Sequence, residues 1–287
     1  GWHDWYLAAN LGDGDHLDGH LLPGLDPIGV PKRLAGSVFP FFYNDFDKLE
    51  RLVNEQDIGV IKMEVVRNRG PQDHFLQKVR DLATQKGVVL VFDECTSGFR
   101  EAFGGIHKNY GVEPDMAMFG KALGNGYAVT ATIGRREVME SAQSTFISST
   151  FWTERVGSTA ALKTLELMEQ TKSWEVITGV GRRVMKGWRQ LADDHNLDIS
   201  VSGLPAIASF GFKSSQALAY KTLITQEMLK KGYLASNVIF CSTAHSEELV
   251  DGYLNILDSI FGVIAQCEDG RDVLELLDGP ICHAGFK

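Results

Sequence analysis

The chain has 287 residues, 44% of them hydrophobic, enough for a substantial core in one large or two modest domains. A formal charge of −9 argues against a nucleic-acid or anionic-membrane surface, no apolar run approaches a membrane span, and the start does not read as a signal peptide. The four cysteines, Cys95, Cys241, Cys267 and Cys282, form no CxxC pair, so neither a zinc knuckle nor a disulfide framework is indicated and a reducing cytoplasm is the default.

Residues 10–36 are rich in Gly, Pro and Asp and read as a long loop. Within it GDGDHLDGH (12–20) has a metal-friendly composition. Leu17 stands where a third calcium ligand should fall and no closing Glu follows, so a solvated loop is the reading. GVIKMEVV (59–66) predicts a strand. Residues 72–86 predict a helix with Phe75, Leu76, Val79, Leu82 and Ala83 on one face. Strands follow at 88–92, 116–119 and about 130–134. Strands alternating with helices, and abundant glycine, predict an α/β layer with a mostly parallel sheet.

After about residue 154 the texture changes. Residues 155–192 read as helical, with Ile177, Val180, Val184, Trp188 and Leu191 at helical spacing. Strands at DISVSG and AIASFGF come next, then a helix near 215–231. A last helix over 246–266 is expected to bury Leu249, Tyr253, Ile256, Ile260 and Ile264. The expected division is a large domain over 1–168 and a small α+β domain over 169–287. GVGRRV (179–184) resembles a dinucleotide-binding turn, but it sits in a helical pattern rather than after a strand.

Two positions carry chemistry. The apolar strand 88–92 ends in Asp93 and Glu94, and ligands are expected at the carboxyl end of a parallel strand. Asp93 is either a helix cap or loop acid, or the holder of a cation on a ligand. Twenty-eight residues on, Lys121 follows the short strand MAMF among Gly120, Gly124 and Gly126. An ordinary lysine is solvated. A desolvated one beside glycines that admit a ligand can form a Schiff base. Such a lysine, with an acid aimed at a ring nitrogen, is what pyridoxal phosphate requires.

VFDECTSGFR, GVEPDMAMFGKALGNG and TATIGRREVME resemble class III (ornithine-type) aminotransferases, with the glutamate-1-semialdehyde aminomutase branch nearest. The opening GWHDW is similar to the end of that family's Tyr-His-Gly segment, and STAHSEELVDGYLNIL to its C-terminal domain. The resemblance implies a fold type I large domain with a small C-terminal domain, pyridoxal 5'-phosphate as cofactor, small amino and keto substrates, and a homodimer. It implies Lys121 as the Schiff-base lysine and Asp93 as the pyridinium partner. Cys95 then lies against the ring, where a small buried hydrophobe serves equally. Thr150 binds the phosphate of the neighbouring subunit, or is an ordinary helix-entry threonine. Glu64 is a supporting acid at the cofactor. FWTERVG (151–157) replaces the family's Gly-Asn-Pro, Val65 its strand-end proline, and Ala128 another common proline. The family's phosphate-binding loop and ring-stacking aromatic are expected upstream of Gly1. Amino-group transfer, or its aminomutase variant, is the expected reaction. A non-catalytic relative and a racemase on the same scaffold are the alternatives.

Overall fold

The computed structural model describes residues 4–12, 16–20, 24–66 and 68–284. Contacts between α-carbons divide the chain into two units: residues 1–59, 71–88 and 283–287, and residues 60–70 and 89–282.

The first unit holds α1 (Asp4–Leu7), α2 (Phe46–Glu55) and α3 (Phe75–Lys86). Asp45 starts α2 by accepting the Lys48 N–H at 3.1 Å, satisfying one of the donors a helix start leaves open. The α3 face of Phe75, Leu76, Val79, Leu82 and Ala83 is buried, as its spacing predicts. Gly87 ends the helix at φ 68°, a left-handed cap that suits glycine. The long loop is not simply solvated. Leu17 is buried, and its N–H is held by the buried Asn10 side chain at 3.0 Å. Residues 13–15 of GDGDHLDGH and residues 1–3 of GWHDW lie outside the described residues.

The second unit carries two sheets. β1 (Val60–Glu64), β2 (Val89–Asp93), β3 (Met116–Phe119) and β4 (Ala131–Gly134) form one in that order. Its first two pairings are parallel and the last is antiparallel, so the sheet is mostly parallel. Asp115 pins β3 to β2: its buried carboxylate accepts the Leu90 N–H at 2.7 Å and meets Arg135 at 3.1 Å. A short α4 (Arg136–Met139) follows, then α5 (Val156–Thr171) and α6 (Ser173–Asp194). GVGRRV lies inside α6. A side chain at Gly181 there would collide with the Pro205 carbonyl oxygen, so that glycine serves packing.

The second sheet is antiparallel: β5 (Ile199–Leu204), β6 (Ile207–Phe212) and β7 (Val238–Phe240). With α6, α7 (Ala217–Lys230) and α8 (Glu247–Glu268) it encloses a core containing Trp188, Phe210, Tyr220, Leu257 and Phe261. The buried Trp188 ring nitrogen donates to the Tyr253 hydroxyl at 2.8 Å. The apolar stripe of α8 keeps the expected Tyr253, Ile260 and Ile264 but not Leu249 or Ile256. It runs through Val250, Tyr253, Leu257, Ile260, Phe261 and Ile264. Leu249 is 43% exposed, because a helical step of about 100° turns it away from Val250.

Candidate active site

β2 delivers Asp93 to the carboxyl end of the parallel pairings, in register with Glu64 on β1 and Met118 on β3. Its Oδ1 accepts the Cys95 N–H at 3.1 Å, a local turn bond of the sort a loop acid makes. Its Oδ2 meets the Lys62 amine at 2.6 Å, so the acid also holds a cation. Burial pushes the Asp93 pKa up. The hydrogen bond and charge of Lys62 and the Cys95 N–H outweigh burial and hold it below the usual value.

The turn after Asp93 is anchored by Glu94, which is fully buried. The Glu94 carboxylate accepts from the Ser97 hydroxyl and from the His107 N–H at 3.0 Å, and meets His107 Nδ1 at 2.8 Å. The Glu94 N–H reaches the Met118 carbonyl at 2.8 Å. With this carboxylate bonded on both oxygens, the turn fixes where Cys95 and Thr96 stand. Burial, then the charge of Asp93, pushes the Cys95 thiol up, against the opposing charges of Lys121 and Lys62. Cys95 thus lies electrostatically between the acid and both amines, and is kept as a neutral thiol.

Lys121 opens a 3-10 turn, Lys121–Leu123, directly after β3. Its φ is +44°, a left-handed conformation that costs a lysine on the order of 1–3 kcal/mol and needs support from its surroundings. That support is visible. Leu123 is buried with Phe99, Ala117, Phe119 and Ala161, and the Gly124 and Asn125 N–H groups return to the Lys121 carbonyl at 3.2 and 3.1 Å. A Cβ at Gly124 would lie 2.1 Å from the Tyr127 carbonyl oxygen, so only glycine closes this turn. The Lys121 amine donates to the Thr96 hydroxyl at 2.7 Å. The side chain is exposed rather than desolvated as the sequence suggests, while Leu123 of the same turn is the residue that is buried.

The fold therefore gathers Asp93, Cys95 and Lys121 around one turn, with Glu64 beside Asp93 in the sheet. Thr150 stands apart, on the exposed 3-10 turn Thr150–Thr153, and no described contact links it to Asp93 or Lys121. The cap of that turn is Ser149, whose hydroxyl accepts the Phe151 N–H at 3.1 Å. Sequence reasoning missed Lys62, Thr96 and the Glu94–His107 pair. For Lys62 a signal existed: a lysine inside an apolar strand, two residues before an acid and so on the same face.

The aminotransferase class-III family model matches residues 44–246. A 3-aminobutyryl-CoA aminotransferase of Cloacimonas acidaminovorans (strain Evry) is 33% identical over 235 residues, which cover 79% of this chain and 53% of that protein. The chain thus spans about half the length of this curated relative. Among solved structures, an omega-transaminase from Sphaerobacter thermophilus matches with a TM-score of 0.78 at 20% identity, over 93% of this chain and 66% of that one. The pyridoxal phosphate internal aldimine form of FumI from Sphingopyxis sp. MTA144 matches with a TM-score of 0.78 at 23% identity, over 87% and 63%. The fold is that of these fold type I transaminases.

Proposed function

The chain belongs to the class III aminotransferases, and we propose that it serves pyridoxal 5'-phosphate-dependent transfer of an amino group between an amine or amino acid and a carbonyl compound. The observation that carries this reading is the single turn that places the Lys121 amine, the Cys95 thiol and the Asp93 carboxylate together, with Thr96 bridging to the amine.

These residues fit the group at its reactive end. An exposed amine is free of any ion pair among the described contacts, and an ionised carboxylate stands at the end of a parallel strand. When bound, the cofactor supplies an electron sink for the pair of electrons left on the substrate carbon. Lys121 would hold it covalently. Once released, Lys121 Nζ would take a proton from the substrate carbon and return it nearby, with the Thr96 hydroxyl orienting the amine. Asp93 would keep the ring nitrogen protonated through its negative charge. Cys95 would lie against the ring, and Glu64 would support Asp93 from β1.

Thr150 would serve the phosphate bound by a second copy of the chain. Its turn carries exposed Phe151 and Trp152 and follows exposed Phe146, at 71%, 67% and 97% exposure, which suits an interface between two copies. The residues divide in this reading into a large domain to 168 and a small domain from 169. The matched relative is named an aminotransferase, so transfer between molecules is preferred to return within one. The described residues contain no helix long and apolar enough to cross a membrane, and four free cysteines suit a reducing cytoplasm.

The test is a titration of the protein with pyridoxal phosphate, followed by visible absorbance and then by addition of amine donors. Yellow colour that changes on adding a donor, and appearance of the matching carbonyl product, are expected. Colour without response to any amine or amino acid would refute amino-group transfer.

A further inference from the structure

Asp93 already meets a cation within its own chain. Parallel register sets Lys62 opposite Val91 and Glu64 opposite Asp93, so strand alternation puts all four side chains on one face of the sheet. Their neighbours Ile61, Met63, Leu90 and Phe92 are buried on the other face. From one step behind on the diagonal, the lysine stem carries its amine to Asp93 Oδ2 at 2.6 Å, with the two side chains 28% and 20% exposed. The other groups facing Asp93 are Glu64 from β1, the uncharged Met118 from β3, and the Cys95 N–H and thiol from the following turn. Lys121 acts on the same cluster through Cys95. A carboxylate offers about four acceptor positions, so Asp93 has room for one more donor, but a second cation there must share its charge with the first.

We propose that Lys62 is a built-in counter-ion of Asp93, which holds the carboxylate aimed and charged and limits how tightly Asp93 then grips a cationic ring nitrogen. The inference rests on the function proposed above and goes beyond it: Lys62 is a positioning residue that acts through Asp93. A salt bridge of purely structural worth would change stability and leave the grip on the ring untouched. A counter-ion changes both the titration of Asp93 and the affinity for the ring.

The experiment compares the wild-type protein with Lys62→Met, Lys62→Gln and Lys62→Arg. Without cofactor, carbon-13 NMR of aspartate-labelled protein follows the Asp93 carboxyl through pH, assigned by its loss in Asp93→Asn. In Lys62→Met and Lys62→Gln the carboxyl should titrate at higher pH than in wild type, because burial persists while the cation is gone. Lys62→Arg should restore it. Titration with pyridoxal phosphate should then show tighter binding in the neutral variants by roughly tenfold, the worth of one pKa unit of charge interaction. An Asp93 carboxyl unmoved in both neutral variants would overturn the proposal, as would weaker pyridoxal phosphate binding in them. Wild-type protein that takes up no pyridoxal phosphate would overturn the functional reading and the control of ring affinity together, and the carboxyl titration distinguishes that failure from failure of the ion pair.

Discussion

The sheet β5-β6-β7 and the sheet β1-β2-β3-β4 handle charge differently. The first turns Ala208 and Phe210 into a core shared with Trp188, Tyr220 and Phe261, where the buried Trp188 ring nitrogen donates to the Tyr253 hydroxyl. The second buries one face and places Lys62, Glu64 and Asp93 on the other, ending beside the Lys121 turn. A closed apolar core contributes stability and little chemistry. A half-open face can hold a carboxylate charged and an amine accessible. In the function proposed above, the chemistry lies on the face where strand alternation gathers these charges.

Replacements at the charged face of one sheet and in the core packed on the other should therefore separate activity from stability. Asp93→Asn should leave the fold in place and weaken cofactor uptake without abolishing it, because Lys121 still holds the group covalently, while turnover slows by about 10²–10³-fold or more, since an amide cannot stabilise a protonated ring by charge. Stopped-flow measurement of the reaction with an amine donor checks this, and near-normal rates in a folded variant would remove Asp93 from the mechanism. Trp188→Ala should do the reverse, costing about 3–5 kcal/mol in denaturant unfolding with no specific effect on the Asp93 environment. A variant as stable as wild type would show that this core is looser than its burial indicates.

A smaller effect is expected where backbone geometry links core and site. Gly124→Ala would put a Cβ 2.1 Å from the Tyr127 carbonyl. The turn should shift, at about 1–3 kcal/mol, and capture of pyridoxal phosphate by Lys121 should slow. Unchanged capture kinetics would show that the Lys121 turn tolerates rearrangement. The smallest expected effect concerns acid. The Asp93 pKa is lower in the folded chain than its ordinary 3.8. The stability it contributes is present above that ordinary value and lost as pH falls through the lower folded value. Unfolding titrations between neutral pH and about pH 2 should give a shallower acid loss in Asp93→Asn than in wild type. Equal acid slopes would mean the Lys62 pairing contributes nothing to folding.

Much of this architecture was legible because apolar periodicity is a direct record of burial. MAMF marks β3 to the residue, and the buried face of α3 matches its spacing throughout. The α8 stripe was legible at Tyr253, Ile260 and Ile264, but its first turn offers two adjacent apolar residues, Leu249 and Val250, and only Val250 is buried. β7 escaped notice because three residues carry too little alternation to count, and α2 because only Leu49 and Val53 turn inward. At the site, Asp93 and Lys121 stood out as charges at the ends of apolar strands. Their partners did not. Lys62 and Thr96 reach them across 31 and 25 positions of sequence, separations that only strand register and turn geometry bring together.

The central claim is that Lys121 is the amine that holds the cofactor. Borohydride reduction of the protein after incubation with pyridoxal phosphate, followed by proteolysis and mass mapping, reads this directly. The expected result is one modified peptide, carrying its label on Lys121. A label on another lysine such as Lys108 or Lys163, with Lys121 unmodified, would contradict the account.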